Sequence, residues 1–154
     1  MPEENDRAGV IAPPPLIFLA FLALGWLLAR KLLPPVDVPY GVVIGVTLCV
    51  AALAFAFWAR TTMLRARTNI NPFKPTTAIV TTGPFAWTRN PLYISMTVLF
   101  IGLALILHAI AAVILLPVLL LIITFGVIRR EELYLERKFG VQYREYRQHV
   151  RRWL

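Results

Sequence analysis

The chain has 154 residues, of which 58% are hydrophobic and 16% are charged. Soluble domains carry roughly 25% charged residues, so this composition excludes an ordinary soluble domain and indicates an integral membrane protein. The net charge of +8 would suggest nucleic-acid binding in a soluble protein. Here the basic residues flank apolar runs, so membrane orientation and anionic headgroups explain them, and we expect a membrane partner and no nucleic acid.

The first 15 residues are acidic and then proline-rich, unlike a signal peptide. We expect a disordered leader over residues 1–15 and a single domain over 16–154. About 20 apolar residues cross a bilayer core of about 30 Å, and two such runs follow, at about 16–33 and 40–59. Small residues in the second run, such as Gly45, favour close packing against another helix.

The apolar segment 91–128 is too long for one span, because a helix of that length would measure about 57 Å at 1.5 Å per residue. His108 is the polar ring that interrupts it. We expect a helical hairpin that turns there, with spans at about 91–107 and 109–128. The sequence therefore predicts an all-α integral membrane fold of about four transmembrane helices.

Lys and Arg residues predict the orientation. They are concentrated in the loop 60–90 and in the tail 129–154, and the turn between the third and fourth spans has none. The positive-inside rule puts the loop, the tail and, with four spans, both termini in the cytoplasm. Arg30 and Lys31 do not follow the positive-inside rule, because this topology puts them on the outer side.

The tail, RREELYLERKFGVQYREYRQHVRRWL, reads as a cytoplasmic amphipathic helix that continues the fourth span, with a break or close approach at Gly140. Its acidic pair, Glu131 and Glu132, admits two interpretations. The two carboxylates are interfacial charges that offset Arg129 and Arg130. Alternatively, they lie at the rim of a pocket, where they accept hydrogen bonds from the ammonium and ribose hydroxyls of a cofactor.

The loop ends in the aromatic-rich stretch GPFAWTRNPLY, residues 83–93. Asn90 is a good N-cap and Pro91 a good first helical residue, so this pair is explained as a helix start. That explanation does not account for Gly83, for the aromatic residues or for Arg89, which could pair with a carboxylate. Free amides at the start of a helix also favour an anionic group. The stretch therefore reads as a binding loop as well as a cap.

Together these motifs resemble the isoprenylcysteine carboxyl methyltransferase and phospholipid methyltransferase superfamily, integral membrane enzymes that use S-adenosylmethionine. The family pattern is Gly-Pro-Tyr, Arg-His-Pro-x-Tyr, a hairpin, Glu-Glu and Phe-Gly-x-x-Tyr-x-x-Tyr. It is met in this order between Thr76 and Tyr146. Phe85 replaces the usual Tyr, and Asn90 replaces the usual His, so any cofactor contact of that imidazole must be made by an amide or lost.

The resemblance implies methyl transfer from S-adenosylmethionine to a hydrophobic or lipid-like acceptor at the cytoplasmic membrane face, with S-adenosylhomocysteine as product. A carboxyl, a hydroxyl or a headgroup amine of a lipid-like or prenylated molecule is the implied acceptor group, and no metal is expected. Tyr143 and Tyr146 are also expected to pack the tail over the site. The implied catalytic residues are Arg89 and Glu132, and the implied cofactor-binding residues are Gly83, Asn90, Tyr93, Glu131, Glu132 and Tyr143.

Two other functions remain open. A membrane sterol-type reductase shares an Arg-His-Pro-x-Tyr-like motif and a Tyr-rich tail but uses a nicotinamide cofactor. Its chain is usually much longer, and its tail has Arg-Asp where this chain has Glu131 and Glu132. A non-enzymatic scaffold whose basic tail binds anionic lipid would explain the charge, but it gives no reason for the ordered aromatic and acidic motifs.

Overall fold

The computed structural model describes residues 9–32, 36–69 and 75–154. Within these ranges the chain is all-helical, with no strand apart from an isolated bridge between Thr88 and Arg151, so the predicted all-α class is confirmed. A 3-10 turn occupies Gly83–Ala86 and a π-helical turn occupies Thr124–Ile128. The helices are α1 (Pro14–Leu32), α2 (Gly41–Arg65), α3 (Pro91–Ile106), α4 (Ile110–Ile123), α5 (Arg129–Phe139) and α6 (Val141–His149).

Among the described residues, three helices are long and apolar enough to cross a membrane. They are α1, α2 and the helix Ile110–Phe139, in which α4, the π-helical turn and α5 follow one another. Helix α3 is apolar but has 16 residues, which gives about 24 Å of helix against a bilayer core of about 30 Å. The predicted third span is therefore a shorter apolar helix beside three of full length.

The helix ends differ most from the predicted spans at α2, which continues to Arg65, beyond the predicted range 40–59. The added residues include Arg, Met and Leu, which are good helix formers, and a cation at the last turn is stabilised by the helix dipole. Helix α1 begins at Pro14, within the predicted leader. Proline is favoured in the first turn of a helix because its missing N–H is not needed there.

Helices α3 and α4 form a hairpin whose turn contains His108, in the left-handed region at φ 52°. Histidine is among the non-glycine residues that adopt this conformation more often than others. The tail is not one helix, because α5 ends at Phe139 and Gly140, at φ 55°, leads into α6. A positive φ favours glycine, which explains why this residue occupies the break.

Residues 1–8 of the predicted leader lie outside the described part of the chain. The residues that follow pack against the long helix near its π-helical turn. The amide of Ile11 donates to the carbonyl of Gly126 at 3.3 Å, and Arg130 donates to the carbonyl of Gly9 at 2.8 Å. The chain before α1 is therefore attached to the junction of α4 and α5.

Two glycines bring α2 and α3 into backbone contact. A Cβ atom at Gly45 would lie 2.6 Å from the carbonyl oxygen of Gly102, and a Cβ atom at Gly102 would lie 2.7 Å from the carbonyl oxygen of Gly45. Small residues let backbones approach closely, which stabilises helix pairs in membranes. The α2–α3 pair therefore depends on both positions remaining glycine.

Replacing Gly102 by valine is expected to lower the melting temperature in detergent, because overpacking costs typically about 1–3 kcal/mol. The loss can be followed by far-UV circular dichroism. Ala54→Val, at an exposed position of α2, is the matched control and should melt like the wild type. Equal melting temperatures for Gly102→Val and the control would contradict the close contact between α2 and α3.

Candidate functional site

A cavity of about 500 Å³ lies where the end of α2, the loop before α3, the first turns of α3, and helices α5 and α6 meet. This volume is within the roughly 300–1,000 Å³ typical of small-molecule sites. The polar residues that line it are Thr68, Asn69, Thr76, Arg89, Asn90, Tyr93, Glu131, Glu132, Tyr134, Tyr143 and Tyr146. The larger apolar residues are Met63, Ile79, Val80, Phe85, Leu92, Met96 and Leu135, with Pro13, Pro14 and Pro15 at the start of α1.

The predicted site residues come together at this cavity, with one exception. Gly83 does not line it but lies against α2, where a Cβ atom would come within 3.0 Å of Thr62 Oγ1. Its φ of 60° also favours glycine, so the turn and the close approach to α2 account for this residue. The predicted residues that line the cavity are Arg89, Asn90, Tyr93, Glu131, Glu132 and Tyr143.

The loop before α3 is fixed by its 3-10 turn and by a contact with α6. Phe85 is buried and packs with Ala59 and Val80 in a small apolar cluster. Its carbonyl accepts a hydrogen bond from the Tyr146 hydroxyl at 2.7 Å. Position 85 therefore supplies an apolar ring to the cavity wall while its backbone holds α6 in place.

Asn90 lies at the N-cap position of α3, but its side chain does not cap the helix. The backbone carbonyl of Asn90 already accepts the amides of Tyr93 and Ile94, and Pro91 has no N–H to satisfy. The carboxamide Nδ2 instead donates to the carbonyl of Arg152 at 2.8 Å. The predicted helix start is confirmed, with Asn90 as the N-cap residue and Pro91 as the first residue of α3, but the Asn90 side chain makes no capping hydrogen bond.

Tyr93, one turn into α3, donates its hydroxyl to Glu131 Oε1 at 2.8 Å. Among the described residues, this is the one hydrogen bond that the Glu131 carboxylate accepts. A carboxylate offers about four acceptor positions. Because Glu131 lines the cavity, it can accept further hydrogen bonds from a bound molecule.

Glu132 is the centre of an ion cluster. It accepts hydrogen bonds from Nε and Nη2 of Arg152 at 2.9 Å and 2.7 Å, and Nη1 of Arg89 lies 3.0 Å from its Oε1. Glu132 is only 7% exposed, and a buried carboxylate is costly unless it is paired. The bidentate contact also raises the pKa of Arg152, so this guanidinium keeps its charge. The two arginines therefore allow Glu132 to be buried beside the cavity.

Arg89 contacts both the ion cluster and the cavity. Its side chain is 9% exposed, and its Nη1 also donates to the Tyr143 hydroxyl at 3.4 Å. Its Nε atom is buried and has no hydrogen-bond partner in the part of the chain that the structure describes. An unpaired buried N–H is costly, so the position of this guanidinium is maintained by its contacts with Glu132 and Tyr143.

Helix α6 places the phenol side chains of Tyr143 and Tyr146 at the wall of the cavity. Burial raises the pKa of Tyr143 to about 12, and burial also raises the pKa of Tyr146 above its ordinary value. Both hydroxyls therefore keep their protons at neutral pH. The two rings contact edge to face, with their centroids 6.2 Å apart, so α6 closes the cavity with neutral hydrogen-bonding groups.

The sequence-based prediction lacks several residues of the site, of which Tyr134 and Arg152 make notable contacts. The Tyr134 hydroxyl lines the cavity and accepts a hydrogen bond from the amide of Thr76 at 3.1 Å. Its signal in the sequence is the spacing of three residues from Glu131, which puts both on one helix face. Arg152 gives no such signal, because it is one of many basic residues in the tail.

The long apolar helices indicate an integral membrane protein, and the cavity at their ends has the size of a small-molecule site. The model of the phospholipid methyltransferase family matches residues 40–142, and the chain belongs to this family. A stretch of 37 residues is 57% identical to an uncharacterized protein of Haemophilus influenzae. This match covers 24% of the chain and 59% of the length of that relative. No solved structure matches the chain significantly.

Glu132→Gln is expected to destabilise the protein by about 3 kcal/mol, because it leaves the buried Arg89 without its counter-charge. Chemical unfolding in detergent measures the loss. Glu136→Gln is the matched control on the same helix, since Glu136 pairs with the half-exposed Arg147 and such surface pairs contribute about 0–1 kcal/mol. Equal stability of the two variants would contradict the central place of Glu132 in the cluster.

Proposed function

We propose that this protein transfers a methyl group from S-adenosylmethionine to a hydrophobic or lipid-like acceptor. The observation that carries the proposal is the cavity itself. It combines a carboxylate with free acceptor positions, the guanidinium group of Arg89 and an apolar wall at the ends of membrane-length helices. Membership of the phospholipid methyltransferase family supports the same reaction type.

The residues fit this cofactor by their chemistry. Its ammonium and ribose hydroxyls are donors, for which Glu131 has acceptor capacity beyond its bond to Tyr93. Its carboxylate is an acceptor, for which the guanidinium group of Arg89, at the cavity wall, is a donor. Asn90, Tyr93 and Tyr143 line the same cavity and would complete the contacts. When bound, the cofactor supplies a methyl group on a positively charged sulfur.

The protein's own contribution is to position the reactants and to exclude water. An acceptor oxygen would form its bond to the methyl carbon as the carbon–sulfur bond breaks, and the bonding electron pair would leave on sulfur. Positioning and water exclusion account for much of the acceleration of such a displacement. Arg89, fixed by Glu132 and Tyr143, would hold the cofactor in the required orientation.

The cavity favours an acceptor that needs no deprotonation. An amine acceptor must lose a proton before it attacks, whereas a carboxylate is nucleophilic at neutral pH. Among the described residues that line the cavity, none is histidine or lysine, the usual bases for that step. An anionic acceptor such as a carboxylate is therefore the proposed class, with its lipid part against the apolar wall near Met63 and Met96.

The proposed orientation puts the cavity and both termini at the cytoplasmic face. The basic loop and tail support it through the positive-inside rule. In a Cys49→Ala background expressed in the bacterial inner membrane, Thr82→Cys and His108→Cys place single thiols at exposed positions of opposite ends. We expect an impermeant maleimide to label position 108 in intact cells and position 82 only after permeabilisation. The reverse pattern would overturn the orientation.

Purified protein is expected to bind S-adenosylhomocysteine in a calorimetric titration. Glu131→Gln should weaken binding by about tenfold or more, because one acceptor oxygen of the carboxyl group is replaced by an amide N–H₂ donor. Tyr93→Phe should weaken it less, since it removes only the partner that orients Glu131. Glu136→Gln, on the outer face of α5, is the control and should bind like the wild type.

The transfer itself is tested by incubating the protein with radiolabelled S-adenosylmethionine and a host lipid extract. Label in a base-labile ester would support a carboxylate acceptor. Absence of cofactor binding both in detergent and in nanodiscs would overturn the proposal. Binding of a reduced nicotinamide nucleotide instead would indicate a reductase, and binding of anionic lipid alone would indicate a scaffold.

A further inference from the structure

Beyond α6 the chain becomes extended at Val150 and runs beside the loop before α3. The segment of interest comprises residues 150–153, outside the family match of 40–142. The amide of Arg89 donates to the carbonyl of Arg151 at 2.9 Å. This bond attaches the segment to the same residue whose side chain reaches the cavity.

The carbonyl of Arg152 is the main attachment point of the 150–153 segment. It accepts hydrogen bonds from Asn90 Nδ2 at 2.8 Å and from Thr88 Oγ1 at 3.1 Å. Both donor residues are buried, so water does not compete well for these bonds. Trp153, next in the chain, packs on the main apolar core. The backbone of Arg152 is therefore fixed on both sides.

The guanidinium group of Arg152 makes a bidentate hydrogen-bonded contact with the carboxylate of Glu132. Arg152 is not among the residues that line the cavity, whereas Glu132 and Arg89 are. It therefore acts on the cavity through Glu132. Without Arg152, the carboxylate of Glu132 would be free to turn and to occupy further donors of Arg89, which the proposed cofactor needs.

We infer that Arg152 is a positioning residue, held by Asn90 and Thr88, that orients Glu132 and so leaves Arg89 available to the cofactor. This inference rests on the proposed function. It gives the Asn90 side chain a structural role, holding the Arg152 carbonyl, that does not require contact with a ligand. It also extends the functional part of the chain beyond α6.

The first test measures attachment of the segment without any cofactor. Hydrogen–deuterium exchange at the amide of Arg89 is compared among the wild type, Arg152→Ala, Asn90→Ala and Arg151→Ala. Asn90→Ala removes a donor to the Arg152 carbonyl, and Arg152→Ala removes the contact between the segment and Glu132. In both variants the amide of Arg89 should exchange about tenfold faster or more, as expected for loss of a hydrogen bond to or from a fixed group. Arg151→Ala is the matched control, because its side chain is exposed and its carbonyl is retained.

The second test measures the consequence for the cofactor. Arg152→Ala should raise the Kd for S-adenosylhomocysteine by about tenfold, and should raise the KM for S-adenosylmethionine more than it lowers kcat. Arg152→Lys should recover part of the affinity, because it keeps the charge but not the bidentate geometry. Arg151→Ala should bind like the wild type.

The outcomes separate this inference from the proposed function. If the wild type binds the cofactor and Arg152→Ala binds it equally well or more tightly, the positioning role is overturned. Unchanged exchange at Arg89 in Arg152→Ala and Asn90→Ala would overturn the anchoring. If the wild type binds no cofactor, the proposed function fails and the cofactor role of Arg152 fails with it, while the exchange data still decide the anchoring.

Discussion

The buried carboxylate of Glu132 is the interaction on which the arrangement of the site depends. Next to a membrane, such a charge is tolerated only when donors surround it. The donors are Arg89 from the loop and Arg152 from beyond α6, at 3.0 Å and 2.7 Å. A single carboxylate thus fixes three parts of the chain relative to one another, and Tyr143 joins them through Arg89. The cavity takes its shape from this cluster.

The long helix Ile110–Phe139 carries Glu131 and Glu132, and it positions both at the cavity. The side chains of adjacent helical residues point about 100° apart, so Glu131 and Glu132 contact different partners. Glu131 turns to Tyr93 on α3, while Glu132 turns to the ion cluster. The π-helical turn lies just before them, and such turns shift the register of the helix at functional sites. One helix therefore serves as a membrane element and as the acidic wall of the cavity.

The sequence predicts those parts of the fold and site that depend on local patterns. Apolar runs indicate the helices, and ordered motifs bring Arg89, Tyr93 and the acidic pair to one cavity. The features that the sequence does not predict have tertiary causes. Asn90 suits an N-cap by type, yet its amide bonds a carbonyl 62 residues away, which no local rule predicts. Arg152 is one arginine among many until the fold brings it to Glu132. Gly83 resembles a binding glycine, but its environment is the face of α2.

The attachment of the chain before α1 to the junction of α4 and α5 has a consequence for biogenesis. The bond between Arg130 and the Gly9 carbonyl joins residues 121 positions apart, and Pro13, Pro14 and Pro15 contribute to the cavity wall. During synthesis, α1 enters the membrane long before α5 exists. Contacts at such separation form late, since the entropy of closing the intervening chain must first be overcome. The part of the cavity wall that precedes α1 therefore finds its partners only after α5 has been made, and the cavity is completed at the end of assembly.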